Sequence, residues 1–457
     1  MELKDTLFYK KKDFYEQFGE AELKAAFEYA KGYAAYLDAS KTEREAVACS
    51  IAEAEKNGFV PYSFGMELKV GGKYYYNNRD KNLFVFTVGK ESLENGFRIS
   101  AAHVDSPRID LKPCPLYQEG GMSFFKTHYY GGIRKYQWVT IPLALHGVVV
   151  KADGTVVNVT IGEDDSDPLL YINDLLPHLG HGDDKKPLGE AIPGEKLNVL
   201  VGSIPCGEGE DAIKLNVMKI LNEKYGIVEE DFLSAELCVV PAAKARDIGL
   251  DRSMIGAYGH DDRVCAYPAL TALFDNVDSE HSLMCILADK EETGSDGNTG
   301  MSSDLILDLI ASISNALGVD PIKVRANSKC LSADVSAAYD PNFADVFERR
   351  NAPLLSCGAI LMKYTGSRGK GGTSDANPEF IGWLRGVMAK DNVLWQTGEL
   401  GKVDIGGGGT VAKFIAKHNI DTVDLGVPVI SMHAPYEIVS KVDVYETYRA
   451  FCAFSKY

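Results

Sequence analysis

No dense stripe of lysine and arginine runs through this chain. Its one basic run of three, Lys10-Lys11-Lys12, reads as a solvated helix face, and 48 Lys+Arg against 65 Asp+Glu leave a formal charge of −17. A nucleic-acid binder usually carries a basic face, so that class is set aside. Long apolar runs are missing too: the most apolar stretch, Trp138 to Val150, contains His146 and is too short to span a bilayer. The opening stretch, Met1 to Thr6, has no apolar signal core. Nine cysteines are scattered without a CxxC pair, an odd and dispersed set that argues against a disulfide framework and for a reducing compartment. HExxH is absent, which excludes the helical zinc-protease arrangement. No internal repeat or low-complexity tract stands out. The expectation is a soluble cytoplasmic protein that binds neither nucleic acid nor membrane.

What is present fits a large enzyme. With 457 residues, 45% of them hydrophobic, the chain can bury a sizeable core over two to four domains, and 44 glycines suit many strand-to-helix turns. Glu20 to Leu37 has helical periodicity. Phe84–Val88 and Phe97–Ala101 are strand-like, and the second runs into His103. From 107 to 240 the pattern is mostly β, including 148–150, 156–160 and 197–201. After Pro241 strands alternate with helices. Arg263 to Phe274 reads as a helix whose start is obscured by Pro268, Leu283 to Ala288 as a buried strand, and Ser303 to Leu317 as a helix with Leu305, Leu309 and Ile313 on one face. This predicts an α/β protein: a three-layer catalytic domain with a mainly parallel sheet, built from 1–106 and 241–457, interrupted by an inserted β-rich domain over 107–240.

The chemistry-bearing residues sit at the ends of those strands. They are His103-Val104-Asp105, Asp261-Asp262-Arg263, Glu291-Glu292, Ser332-Ala333-Asp334 and Ser431-Met432-His433. Each has an ordinary reading by itself: a locally satisfied histidine, a pair of helix-capping aspartates, a solvated acidic turn. Together they supply what a two-metal hydrolytic centre needs, namely a bridging carboxylate, terminal imidazole and carboxylate ligands, and one spare carboxylate to move protons. Open α/β sheets place ligands at such strand ends.

The set A-H-x-D-S-P, D-D-R, K-E-E-T-G-S, S-A-D, D-P-N and S-M-H resembles, in order and spacing over essentially the whole chain, the aspartyl aminopeptidase family of dinuclear metallopeptidases. The resemblance implies a role for each position. His103 binds one metal with Asp334 beside it, Asp261 bridges, and Glu292 and His433 bind the second. Glu291 is the general base that takes a proton from the attacking water and passes it to the leaving amine. Asp105 hydrogen-bonds His103 and fixes its tautomer. Asp262 replaces an asparagine often found in this motif and reads as structural. The cofactors implied are two divalent ions, zinc by preference for imidazole and carboxylate donors, with manganese or cobalt also accommodated.

The same resemblance bears on substrate and assembly. The expected substrates are peptides, shortened from the N-terminus. Lys363 lies near where the family offers a cation to an acidic side chain, although the count places the family's lysine on Met362, one residue away, and one residue reverses the facing on a strand. Acidic and neutral preferences therefore both stay open. Gly408 and Thr410, in the glycine run before the helix-like stretch Val411 to His418, are candidate substrate contacts through backbone amides at a helix start. The insert is expected to pair chains, and the dimers to build a tetrahedral dodecamer with enclosed sites. His178 aligns with a histidine that reaches a neighbouring chain's site to hydrogen-bond the oxyanion, with His181 as the local competitor. A related deacylase or dipeptidase would share the metal set, and an idle scaffold would share the fold.

Overall fold

The computed structural model describes residues 3–457; Met1 and Glu2, the start of the stretch read for a signal core, lie outside the described residues. The chain folds into two compact units. The first comprises Met1–Asp105, Ala245–Met432 and Glu437–Tyr457; the second comprises Ser106–Lys244 together with the short segment His433–Tyr436.

The first unit is mixed α/β. Its main sheet has nine strands, in the order Val60–Pro61, Lys73–Asn78, Asn82–Thr87, Ser282–Ala288, Phe97–His103, Lys329–Ser332, Asp421–Gly426, Ala359–Met362 and Trp395–Thr397. The four strands from Ser282–Ala288 to Asp421–Gly426 are mutually parallel. Their side chains alternate between two apolar layers, as a sheet covered on both faces requires. Met284, Ile286 and Ala288 pack in one cluster with the helix Leu305–Ala316. Leu283, Cys285 and Leu287 face the other, with residues of the helices Glu20–Ala39, His260–Asp275 and Lys441–Lys456. Because Ala288 is in register with His103, and Ser332 with Ala101, neighbouring parallel strands end within two residues of one another and their continuations leave from one edge.

The first unit also contains a five-stranded sheet that the sequence reading did not anticipate, ordered Arg246–Ile248, Met254–Ala257, Glu437–Ser440, Pro428–Ile430 and Ser336–Ala337. Helix bounds shift locally. The helix expected from Arg263 runs His260–Asp275 with Asp261 and Asp262 in non-helical conformations, so its regular part does begin at Arg263, and Pro268 is buried inside it. The helix expected over Ser303–Leu317 spans Leu305–Ala316, and its inward face is Ile306, Leu309, Ile310 and Ile313, with Leu305 only partly buried.

The second unit is built on a seven-stranded sheet, antiparallel throughout, ordered Val156–Ile161, Leu143–Val150, Ala235–Pro241, Arg108–Glu119, Met122–Tyr130, Val199–Gly202 and Tyr171–Ile172. It carries one long helix, Ala212–Tyr225, which a reading of this block as mostly β omits. The signal is in the sequence: Ile213, Val217 and Leu221 recur every fourth residue on the buried face, and Gly226 closes the helix with φ +66°. Among the described residues no single helix is long and apolar enough to cross a membrane.

Candidate metal centre

His103 is the last residue of its strand and is 1% exposed. Its ring lies among carboxylates: Nε2 is 3.2 Å from Asp261 Oδ1, 3.9 Å from Asp334 Oδ1 and 4.0 Å from Glu291 Oε2. Nδ1 is 3.0 Å from the backbone carbonyl of Asp105 and 3.4 Å from that residue's Oδ1. Engaging Nδ1 with a carbonyl sets the tautomer that leaves Nε2 as the lone-pair donor.

The two glutamates occupy a short turn, Glu291–Thr293, that follows Lys290 at φ +67° and ends at Gly294 at φ +97°. Asp105, fully buried, ties this turn to the histidine: Glu291 N–H donates to Asp105 Oδ1 at 3.1 Å and Glu292 N–H donates to Asp105 Oδ2 at 3.2 Å. Its carboxylate thus orients both glutamates at once and also lies beside the imidazole, which its carbonyl engages at Nδ1.

Asp261 follows Gly259 and His260 at the start of the helix, and its N–H donates to Glu437 Oε2 at 3.1 Å. Glu437, almost fully buried on the small sheet, is a supporting residue that sequence reasoning missed; its one advance signal was a carboxylate leading into the apolar pair Ile438-Val439. Asp262 is wholly buried, and its Oδ2 accepts the His103 backbone N–H at 3.3 Å. Asp334 sits two residues past its strand with its carbonyl against Gly426; a Cβ at Gly426 would lie 1.7 Å from that oxygen, so only glycine fits there.

Burial and crowding perturb these groups. Burial lowers the His103 imidazole, but the carboxylates of Asp105 and Asp261, with the charge of Asp262, outweigh it and hold the ring well above its usual pKa. Burial first, then the charges of Glu291 and Asp262, raises Asp334 well above the carboxylate range. Asp262 is raised chiefly by burial, with His103 drawing it back. Such concentration of shifted groups in one place is typical of a working site.

The donor set fits divalent cations. His103, Asp262 and Asp334 each offer a ligand atom within 4.8 Å of the others, as do His103, Glu291 and Glu292. His103 Nε2 is buried and makes no hydrogen bond, leaving it available to a metal.

In the second unit, His433 has φ +64° and places Nδ1 2.7 Å from the Gly132 carbonyl, which leaves its Nε2 as the donor nitrogen. His178 is exposed there, and His181 is exposed with Nδ1 3.9 Å from Asp184. Lys363 is exposed just past the strand that ends at the buried Met362, and its ammonium pairs with Asp375, as does that of Lys370. The Gly408 carbonyl accepts the Gly366 N–H, and Thr410 is buried with its hydroxyl bonded to Asp424. The helix-like stretch after them shortens to Ala412–Ala416. A Cβ at Gly407 would lie 1.8 Å from the Gly366 carbonyl, so close backbone packing accounts for at least one glycine of the run.

Comparison with known proteins gives this centre its context. Residues 36–455 match the family model described as Aminopeptidase I zinc metalloprotease (M18). A probable M18 family aminopeptidase 1 of Clostridium acetobutylicum is 50% identical over 453 residues, covering 97% of each chain. The crystal structure of an M18 aminopeptidase from Thermotoga maritima superposes with a TM-score of 0.93 at 43% identity, covering 98% of this chain and all of that one. The S. cerevisiae mApe1 dodecamer shares the fold, at 20% identity and a TM-score of 0.77 over 95% of this chain and 97% of that one. The chain belongs to the M18 family of zinc aminopeptidases.

Proposed function

We propose that this aminopeptidase works with two divalent ions and Glu291 as its general base. The observation that carries the reading is the shared anchoring of Glu291 and Glu292 on Asp105, with Glu291 Oε2 4.0 Å from His103 Nε2. One glutamate is then placed to move protons while its neighbour ligates. We assign His103 and Asp334 to one ion, Asp261 as the bridge, and Glu292 and His433 to the other. Bound divalent ions supply Lewis acidity, polarising the scissile carbonyl and acidifying the attacking water. Glu291 takes the proton from that water and delivers it to the leaving amine. Asp105 holds Glu291 in place.

The remaining assignments rest on the family resemblance and on the sequence itself. The second unit pairs chains, and dimers assemble into a tetrahedral dodecamer; the mApe1 dodecamer is a precedent for the assembly at the level of fold. His178, exposed on its loop, is the candidate donor to the oxyanion in a neighbouring chain. Lys363 is the candidate cation for acidic N-terminal residues, and Gly408 and Thr410 are candidate peptide contacts. The protein acts in the cytoplasm.

Two measurements test the core of this reading. Elemental analysis of chelator-free protein should find about two ions per chain; active protein with one or none would end the dinuclear assignment. A panel of aminoacyl and N-acetylated anilides should show hydrolysis only where the amine is free. Preferential cleavage of acetylated substrates would move the protein to the deacylases.

A further inference from the structure

The loop that carries the two glutamates is held from a second direction. It leaves the strand Ser282–Ala288, and its neck is closed by a parallel bridge between Asp289 and Gly300. Against that neck sits the tight turn joining the strands Lys73–Asn78 and Asn82–Thr87, in which Arg79 and Asp80 have φ of +62° and +58°. Three side chains of this turn reach the loop. Asn78 Nδ2 donates to the Asn298 carbonyl at 2.8 Å, and Asn82 Nδ2 donates to the Thr299 carbonyl at 2.6 Å. Lys81 Nζ lies 3.7 Å from Asp289 Oδ2 and 3.7 Å from Glu43 Oε1. Thr299 Oγ1 donates to the same Asp289 oxygen at 2.6 Å.

Burying polar side chains is unfavourable unless they are hydrogen-bonded. Asn78 and Asn82 are each 1% exposed, and their amide nitrogens are directed at carbonyls of this one loop. Lys81 meets the loop's first carboxylate from the same turn. Simple closure of a loop is already provided by its own bridge, together with the Ser295 N–H donating to Lys290 O and the Ser302 N–H to Ser295 O. The additional grip falls at both ends of the segment that presents Glu291, two residues past Asp289.

We propose that Asn78, Lys81 and Asn82 are positioning residues for the reaction, clamping the neck of the Asp289–Gly300 loop so that the Glu291 carboxylate stays where it can exchange a proton with the attacking water. This rests on Glu291 acting as the base. The clamp complements Asp105, which grips the Glu291 and Glu292 amides of the same loop. A misplacement of a catalytic group by about 1 Å costs roughly 10²-fold, so a clamp remote from the substrate still has a large lever on turnover.

The test is a double-mutant cycle on the metal-loaded enzyme, using Asn82→Ala alone, Glu291→Gln alone, and the two combined. Asn82→Ala should lower kcat by about tenfold or more with KM within about twofold of the parent. Metal content should be unchanged, and amide exchange across 289–300 should quicken. In the Glu291→Gln background the same substitution should cost less than about twofold, because the group it positions is already disabled. An unchanged kcat in folded, metal-loaded Asn82→Ala, or the same fold-loss in both backgrounds, overturns the proposal. If Asn82→Ala does not fold, Asn78→Ala is judged by the same criteria, and Lys81→Arg should retain more turnover than Lys81→Met. Should Glu291→Gln alone remain fully active, the base assignment fails; amide exchange across the loop still reports whether the clamp holds it.

Discussion

Removing the Asp105 carboxylate should separate its two jobs. In the structure this buried group accepts hydrogen bonds from the amides of Glu291 and Glu292, at 3.1 and 3.2 Å, and its Oδ1 lies 3.4 Å from His103 Nδ1, which meets the Asp105 backbone carbonyl at 3.0 Å. Asp105→Ala deletes both amide contacts and leaves the carbonyl in place. Leaving a hydrogen-bonding group without its partner costs about 1–3 kcal/mol, so two amides predict a loss of about 2–6 kcal/mol in stability. Asp105→Asn keeps one acceptor and turns a donor toward the other amide, so it should lose less, about 2–3 kcal/mol. The glutamate turn loosens in both variants, and turnover should fall about 10–100-fold, the usual effect of losing a supporting partner. The assays are urea midpoints at fixed protein and metal concentration, since bound metal and assembly both shift apparent stability, together with kcat and metal content. An Asp105→Ala protein within about 1 kcal/mol of the parent, with full turnover, would refute the argument that this carboxylate organises the turn.

Three further outcomes follow. Glu291→Gln should retain metal and fold but lose roughly 10²–10⁴ in turnover, whereas Glu292→Gln should weaken metal binding; metal analysis beside kcat decides, and the opposite pattern would exchange the two roles. Gly426→Ala must move a Cβ away from the Asp334 carbonyl, 1.7 Å distant, and should destabilise by about 1–3 kcal/mol while lowering metal affinity; wild-type metal titration in this variant would mean that Asp334 is not a ligand. Asp424, wholly buried and bonded by Thr410 and Ser332, has its carboxyl raised by burial from 3.8 to about 7. The fold therefore favours its protonated form, so the stability it contributes is full below about pH 4 and is lost as pH rises through about 7, by about 4 kcal/mol in total at 1.36 kcal/mol per unit. Urea midpoints of chelator-treated protein should drop over that window, and Asp424→Asn should flatten the drop; equal slopes would remove Asp424 as its source.

The parts of this molecule legible in its sequence are those written locally. A continuous apolar strand such as Leu283–Ala288, followed at once by Glu291 and Glu292, states its own burial and its own chemistry, because a parallel strand covered on both faces cannot afford polar residues until it leaves the sheet. His103 and Asp334 are marked in the same way, by the ends of Phe97–His103 and Lys329–Ser332, and register between parallel strands then brings those ends to one edge. What stayed hidden is the support. Glu437 receives the Asp261 amide from 176 residues away, and nothing in the local pattern of Glu437–Ser440 points to Asp261. The turn at Asn78–Asn82 reads as an ordinary hairpin of polar residues; that its carboxamides end on Asn298 and Thr299 depends on the neighbouring strand Ser282–Ala288 lying beside Asn82–Thr87, a pairing set by the whole sheet. Asp105 shows the boundary between the two kinds of information. Its place two residues after His103 marks it as a partner of that ring, whose Nδ1 meets its backbone carbonyl at 3.0 Å and its Oδ1 at 3.4 Å, and the same carboxylate also takes amides 186 and 187 residues downstream. Spacing along a strand names the groups that can share a site; only the assembled sheet decides which further partners each group takes, and the reach of the Asp105 carboxylate to both glutamate amides comes from that second level.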